Sequence, residues 1–366
     1  MYDYLIVGAG MFGATFARLA TDAGKTCLVI DKRDHIAGNC YTENKEGIHI
    51  HKYGPHIFHT SNDAIWKFVN RFARFNNFVL SPKANYKGKL YSLPFNMNTF
   101  YELWKTITPE QAKAMIAKQV VPCEDPKTLE EFALSTVGKD VYNTLIKGYT
   151  EKQWMKHPRD LPASIIKRLP LRFTYNSNYF NDKYQGIPIG GYTEMFELML
   201  EGIDVELNID YFANKQHLDS LAKKVVYTGC IDQYFDYKYG KLEYRTLDFE
   251  TARLDIESYQ GTAVVNYTGT EQPFTRIVEH KHFDSNPDTT PYTYITHEYP
   301  AVMDDTKIPY YPINDEKNQS IFNLYDRESK LEKNVIFGGR LANYQYYDMH
   351  QVIGQAMATF SKQEVT

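Results

Sequence analysis

The period of apolar and polar positions changes several times along the chain, and each change marks an element. Tyr4-Leu5-Ile6-Val7 is a continuous apolar run that stops on Gly8-Ala9-Gly10-Met11-Phe12-Gly13. An amphipathic stretch follows to about Gly24, so this opening predicts a buried strand, a glycine turn and a helix. Thr26-Cys27-Leu28-Val29-Ile30 reads as a second buried strand ending on Asp31. Alternation over residues 47–59 predicts a strand and then a loop at Gly54-Pro55. Residues 61–75 have helical period, with Ser61 or Asn62 as cap. Residues 78–93 predict two strands around a Lys87-Gly88 turn. The period is helical over 99–106, 109–120, 129–137 and 139–149, whereas 168–184 is aromatic and extended. A helix over 193–200 follows Gly190-Gly191-Tyr192, and 205–207 and 224–228 read as strands. The stretch 242–282 is strand-rich, with alternation at 263–267 and 275–279. Val335-Ile336-Phe337 reads as a buried strand ending on Gly338-Gly339-Arg340, with a helix from about Asp348.

The opening unit has chemical meaning. Gly8 allows a tight turn, Gly10 lets the backbone approach a pyrophosphate, and Gly13 lets helix and strand pack closely. The helix start then offers unpaired N–H groups and a positive dipole end to phosphates. Asp31 lies 18 residues past Gly13, near the spacing of about 20 expected for an acid that holds a ribose hydroxyl. Strand, helix, second strand and acid together predict a dinucleotide site. The segment Asp31-Lys32-Arg33-Asp34-His35-Ile36-Ala37-Gly38-Asn39 resembles the acid-then-glycine-pair extension of large FAD enzymes such as amine oxidases, with Ala37 in place of the first glycine, which points to FAD. The closing Gly338-Gly339-Arg340 turn predicts a second phosphate-facing surface. The fold expected is α/β: a discontinuous Rossmann-type FAD-binding domain (1–75, 185–240 and 320–366) with an inserted helical domain (95–165). An antiparallel β-sheet domain (76–94, 166–184 and 241–319) is expected to receive the substrate.

Composition narrows the function. Across 366 residues the net charge is −4 and the pI about 6.3, without the basic footprint of a nucleic-acid binder or a membrane-surface protein. No apolar run nears the length of about 18 residues that spans a bilayer. The first strand begins at the second residue, so no signal peptide is expected. Four cysteines (Cys27, Cys40, Cys123, Cys230) form no CxxC pair, which suggests a reduced, cytoplasmic protein. Thirty tyrosines and 15% aromatic residues predict a wide cleft lined by amphipathic rings.

Candidate chemistry follows from the side chains. His49, His51, His56 and His59 cluster, and His280 and His282 form HxH. No acid or cysteine stands at ligand spacing beside them, so no metal site is expected. His56, on the Gly54-Pro55 loop, is placed to face a flavin. No GxSxG or activated-cysteine motif occurs, so the chemistry is expected to belong to the cofactor. Arg168, Arg245 and Arg276 lie in aromatic or strand contexts rather than on solvated helix faces. Guanidinium forks there fit a diphosphate, and Arg276 on an alternating strand is the best candidate. Gly148-Tyr149-Thr150-Glu151-Lys152-Gln153-Trp154, Asn178-Tyr179-Phe180, Pro309-Tyr310-Tyr311-Pro312 and Tyr344-Gln345-Tyr346-Tyr347-Asp348-Met349 supply rings for a base and a sugar.

Over nearly its whole length, in order, the chain resembles the bacterial UDP-galactopyranose mutases. The resemblance rests on GAGMFG (8–13), HKYGPHIFHT (51–60), LPFNMNTF (93–100), KGYTEKQW (147–154), YQGIPIGGY (184–192), TRIVEHKHFD (275–284), PYYPIND (309–315) and FGGRLANYQYYDMHQV (337–352). It implies a redox-neutral isomerase that uses reduced FAD to interconvert UDP-galactopyranose and UDP-galactofuranose through a flavin N5–sugar adduct. By motif, Arg168 and Arg276 would grip the diphosphate, Arg168 from a mobile lid. Tyr310 and Tyr346 would hydrogen-bond it, with His56 and Asp348 completing the catalytic set. Tyr149, Thr150, Trp154, Tyr179, Phe180, Arg245 and Asn266 would bind substrate. Gly8, Gly10, Phe12, Gly13, Asp31, Lys32, Gly38, Asn39, Ile57, Gly339, Arg340 and Met349 would hold FAD. The resemblance also implies a cytoplasmic homodimer that serves cell-surface polysaccharide synthesis. Two rivals are an FAD-dependent oxidase or dehydrogenase of the amine-oxidase type, and a non-enzymatic flavin-containing nucleotide-sugar binder or redox sensor.

Overall fold

The computed structural model describes residues 1–166, 171–284 and 290–364. They form two compact units: residues 1–77, 182–246 and 303–366, and residues 78–181 and 247–302. Arg168 lies outside the described residues.

The first unit is built on five parallel strands in the order Val335–Phe337, Ala222–Tyr227, Tyr2–Val7, Cys27–Asp31, Asp204–Leu207. The apolar runs at 4–6 and 27–30 are buried on both faces, as central parallel strands require. Tyr4 and Ile6 pack with the helices Met11–Asp22, Gly191–Met199 and Met349–Glu364, among Phe16, Tyr192, Phe196 and Ile353. Leu5 turns to the other face, onto Leu28, Ile30, Tyr211 and Tyr227. Each large apolar side chain buried this way contributes roughly 1.5–3 kcal/mol. The strand Val335–Phe337 departs from expectation, because all three residues are only half-buried. It is an edge strand with one neighbour. The first helix after the His56 loop, Asp63–Val69, is capped by Asn62, whose side chain accepts from the Ala64 and Ile65 N–H groups. It ends six residues short of the expected Phe75, where Asn70 turns its amide back to the Trp66 carbonyl at 2.7 Å.

In the second unit a sheet runs from Tyr244–Leu254 through Thr293–Ala301, Arg276–Glu279, Val264–Tyr267 and Lys83–Tyr86 to Lys89–Ser92. The long Tyr244–Leu254 strand passes into it from the first unit. The sheet is not wholly antiparallel: Val264–Tyr267 pairs parallel with Lys83–Tyr86. The helices Pro109–Ala117 and Leu129–Thr136 start on Thr108–Gln111 and Thr128–Glu131 capping boxes. The helix expected at 139–149 continues beyond its predicted end. A π-helical turn at Tyr142–Ile146 inserts a wider turn, after which Lys147–Trp154 resumes as α-helix. The described part of the 168–184 stretch forms a strand only at its end, where Tyr184–Gly186 in the first unit pairs with Phe58–Thr60. Among the described residues no helix is long and apolar enough to cross a membrane.

Candidate active site

In the first unit the glycine turn is held by close backbone approach. Gly8 has φ +111°, and a Cβ there would lie 2.1 Å from Thr228 Oγ1. A Cβ on Gly13 would lie 1.9 Å from the Gly8 carbonyl oxygen, so helix and strand touch there as the sequence anticipates. Gly10 caps the Met11–Asp22 helix without a side chain, which leaves the first-turn N–H groups to an anion. Gly38 approaches this turn from the Asp31 extension: a Cβ on it would be 3.0 Å from Gly10 Cα. Asp31 is buried and accepts from Ala9 N at 2.8 Å and Arg33 N at 3.0 Å. The acid therefore braces the turn as well as closing the second strand. Arg33 donates to Asn39 Oδ1 at 2.8 Å and lies over the Tyr53 ring, 4.7 Å from its centroid. Its Nη1 is buried without a hydrogen bond. A buried unpaired cationic donor two residues past the acid that braces this turn, with an uncapped helix start, fits a phosphate-bearing dinucleotide.

The other expected cofactor residues surround this cradle in different ways. The Phe12 ring is buried, stacks on Phe16 at 6.4 Å and packs against Gly338, so its backbone is what it offers a ligand. Gly339, at φ +89°, donates its N–H to Gln355 Oε1 at 3.0 Å. Ile57 is buried, Arg340 and Met349 are half-buried, and Lys32 is exposed. Met349 Sδ lies 3.7 Å from Cys40 Sγ.

The same unit carries the His56 loop and a tyrosine–arginine group. Gly54, at φ +91°, turns the chain so that His56 Nδ1 meets the Gly54 carbonyl at 2.8 Å, while His56 N donates to His51 Nδ1 at 3.1 Å. A carbonyl only accepts, so His56 carries its proton on Nδ1. Arg245 pairs with Tyr311 across two strands, and Tyr310 N donates to the Arg245 carbonyl at 3.0 Å. Tyr311 stacks on Tyr346 with centroids 5.6 Å apart. The structure thus brings Arg245, Tyr310 and Tyr346 together. Arg245 Nε is buried without a partner, and burial pushes its pKa down. Asp348 precedes the last helix and donates its N–H to Gln351 Oε1 at 2.9 Å.

The second unit carries the rest. Gly148 lets the Lys147–Trp154 helix touch a turn: a Cβ there would lie 2.4 Å from the Thr268 carbonyl oxygen. Lys152 then donates to the carbonyls of Tyr267, Phe274 and Gln272 at 2.7, 2.8 and 3.2 Å. Burial pushes its pKa down to about 8. This clamp fixes the helix bearing Tyr149, Thr150 and Trp154 against the strand bearing Asn266. Asn266 is the Cα partner of Arg276 on the neighbouring strand, and its Oδ1 is buried without a hydrogen bond. Arg276 Nε donates to Glu298 Oε2 at 2.5 Å, and Glu298 is 1% exposed. Burial pushes the Glu298 pKa up and Arg276 opposes that rise. Tyr179 and Phe180 meet edge to face at 5.3 Å, on a loop held by Arg172 through Asn178, Tyr179 and Asn181.

Comparison with known proteins decides the family. A family model for UDP-galactopyranose mutase matches residues 144–346. A dTDP-fucopyranose mutase from Escherichia coli is 42% identical over 98% of this chain and 97% of its own length. A probable UDP-galactopyranose mutase from Klebsiella pneumoniae is also 42% identical, over 98% of this chain and 93% of its own. The chain belongs to the UDP-galactopyranose mutase family. It is an enzyme, an isomerase of the mutase kind, and FAD is its cofactor. A second model, an NAD(P)-binding Rossmann-like domain, covers residues 6–72. The fold matches a crystal structure of reduced UDP-galactopyranose mutase with a TM-score of 0.76 at 13% identity, over 100% of this chain and 96% of the other. Likeness to a flavin-containing amine oxidase from Danio rerio extends over 29% of the chain at 27% identity, so the oxidase rival is a distant relation.

Within this mutase fold, sequence reading missed Arg33, Lys152 and Glu298, and with them Asp182, whose Oδ2 lies 2.7 Å from His59 Nδ1. Glu298 left one signal, a lone acid within the aromatic run His297-Glu298-Tyr299. Lys152 and Asp182 left none, because their partners lie more than a hundred residues away.

Proposed function

We propose that this chain interconverts UDP-galactopyranose and UDP-galactofuranose without net oxidation. The observation that carries the reading is Arg276, opposite Asn266 and held through its Nε by buried Glu298. A guanidinium oriented this way presents a planar fork suited to a diphosphate and stabilises charge on the departing group. In the second unit Arg276 is the residue for the diphosphate, and Tyr149, Thr150, Trp154, Tyr179, Phe180 and Asn266 are those for the nucleotide and sugar. The family resemblance gives Arg168, Tyr310 and Tyr346 diphosphate contacts as well, Arg245 a substrate contact, and His56 and Asp348 a part in catalysis. Bound and reduced, FAD supplies an electron-rich ring able to act as a nucleophile toward an anomeric carbon. The residues named for it are Gly8, Gly10, Phe12, Gly13, Asp31, Lys32, Gly38, Asn39, Ile57, Gly339, Arg340 and Met349. Keeping the nucleotide diphosphate bound while the sugar ring opens and recloses makes its return intramolecular in effect. The family resemblance further supports a cytoplasmic homodimer supplying galactofuranose for cell-surface polysaccharide.

A second substrate is favoured by one finding: the Escherichia coli relative of equal identity is a dTDP-fucopyranose mutase. The test is anaerobic incubation with UDP-galactofuranose, and separately with dTDP-fucofuranose, with and without dithionite, followed by chromatography. Pyranose product from the UDP-sugar in the reduced sample alone supports the proposal. Conversion of only the dTDP-sugar moves the chain to the second substrate. Equal turnover without reductant refutes the reduced-flavin chemistry.

A further inference from the structure

Three segments of the first unit that are remote from one another in sequence converge on a polar group. One ring nitrogen of His59, one of His350 and a carboxylate oxygen of Asp348 lie within 4.8 Å of one another. The two imidazoles meet edge to face, with centroids 4.9 Å apart. Asp182 holds the His59 ring, with Oδ2 2.7 Å from Nδ1. Ser61 Oγ donates to the other Asp182 oxygen at 3.0 Å, so that carboxylate is itself fixed. His350 Nδ1 is buried and makes no hydrogen bond.

An orphan imidazole nitrogen beside a second imidazole and a carboxylate is a costly arrangement for the protein alone. It is a favourable one for a cation of borderline softness. Two imidazoles and one carboxylate suit zinc, cobalt, nickel or copper rather than magnesium or calcium. Asp182 stands where an outer carboxylate orients a ligand histidine and raises its basicity. The positive end of the Met349–Glu364 helix opposes a cation, and the adjoining Asp348 carboxylate offsets that field. The four residues lie at positions 59, 182, 348 and 350, so no ligand spacing in the sequence could announce them.

We propose that His59, His350 and Asp348 bind a divalent transition metal of the zinc class, with Asp182 as the residue that positions His59. Three protein ligands leave such an ion at least one open position. Asp348 also belongs to the proposed catalytic set, so a bound metal is expected to slow turnover.

The test is titration of the FAD-loaded, tag-free protein with Co²⁺, read at wavelengths beyond the flavin bands. The expected result is a saturable ligand-field band at one equivalent per chain, removed by competing Zn²⁺. His350→Ala and Asp182→Asn should each weaken Co²⁺ binding roughly 10- to 100-fold while keeping their flavin content. His350→Gln replaces His350→Ala if the latter loses flavin. Absence of the band, or a band equally strong in the His350 and Asp182 variants, overturns the proposal. Neither outcome depends on which sugar the enzyme accepts.

Discussion

Glu298 shows how one residue can govern another. Its side chain is 1% exposed, and its Oε2 lies 2.5 Å from Arg276 Nε, whereas the Arg276 side chain is 24% exposed. The acid is therefore anchored in the sheet and the arginine reaches outward from it. Desolvating the carboxylate is costly, and the hydrogen-bonded arginine offsets that cost. Glu298→Ala should release the guanidinium and lower kcat/KM by about 10- to 100-fold, because small displacements of a charge-stabilising group are expensive. The loss should appear in kcat as well as in KM for the nucleotide sugar, with flavin content unchanged. Glu298→Gln keeps an acceptor for Nε and should recover much of the activity. Steady-state kinetics on the two variants, beside thermal melts, distinguish positioning from plain destabilisation. A lower melting temperature with unchanged KM would assign Glu298 to the core alone.

At the scale of elements, buried polar clamps hold turns to strands. Glu279 ends the Arg276–Glu279 strand and accepts from Tyr259 N and Gln260 N at 2.8 Å each, with His282 Nε2 at 3.2 Å. Burial alone would raise its pKa, but the His282 contact and the two backbone N–H groups outweigh burial and hold it down at about 2. A carboxyl lowered on folding stabilises above its unfolded value near 4.5 and loses that contribution as pH falls toward 2. The contribution is about 3 kcal/mol. Urea melts of wild type and Glu279→Gln should therefore differ by about that much at neutral pH, and the gap should close in acid. An equal gap at both ends of the range would remove Glu279 from the account. Such clamps also mark the limit of what sequence shows. The opening strand, glycine turn, helix and Asp31 strand were legible because periodicity and spacing are local. The Glu316–Ser329 helix was not: only Asn318 and Tyr325 are fully buried in it, and its apolar side is short, limited to Ile321 and Phe322 beside Tyr325. The Thr293–Ala301 strand lacks clean alternation because its burial is nearly continuous. The continuation of the 147–154 helix depends on the π turn and on Gly148 meeting Thr268, and only tertiary contact fixes these.

For the whole molecule, the cofactor cradle joins parts of the chain that are remote in sequence. The parallel sheet of the first unit takes strands from its beginning, its middle and its end. The first and last helices, Met11–Asp22 and Met349–Glu364, share one core through Phe16 and Phe360, whose rings meet edge to face at 5.5 Å. A ligand seated on the glycine turn, Arg33 and the Gly338-Gly339 turn would be bound only when those segments are assembled. Binding to the folded state alone stabilises by mass action, about 2.7 kcal/mol at a hundredfold excess over Kd. Adding FAD to the flavin-free chain should accordingly raise the melting temperature in a concentration-dependent way. Gly13→Ala should abolish that rise, because the new Cβ would lie 1.9 Å from the Gly8 carbonyl oxygen and 3.1 Å from Ile6 Cγ2. The helix must then withdraw from the strand and carry its N–H groups away from the phosphates. The variant should melt at one temperature whatever the FAD concentration, and a wild-type rise in Gly13→Ala would show that the glycine turn does not carry the cofactor.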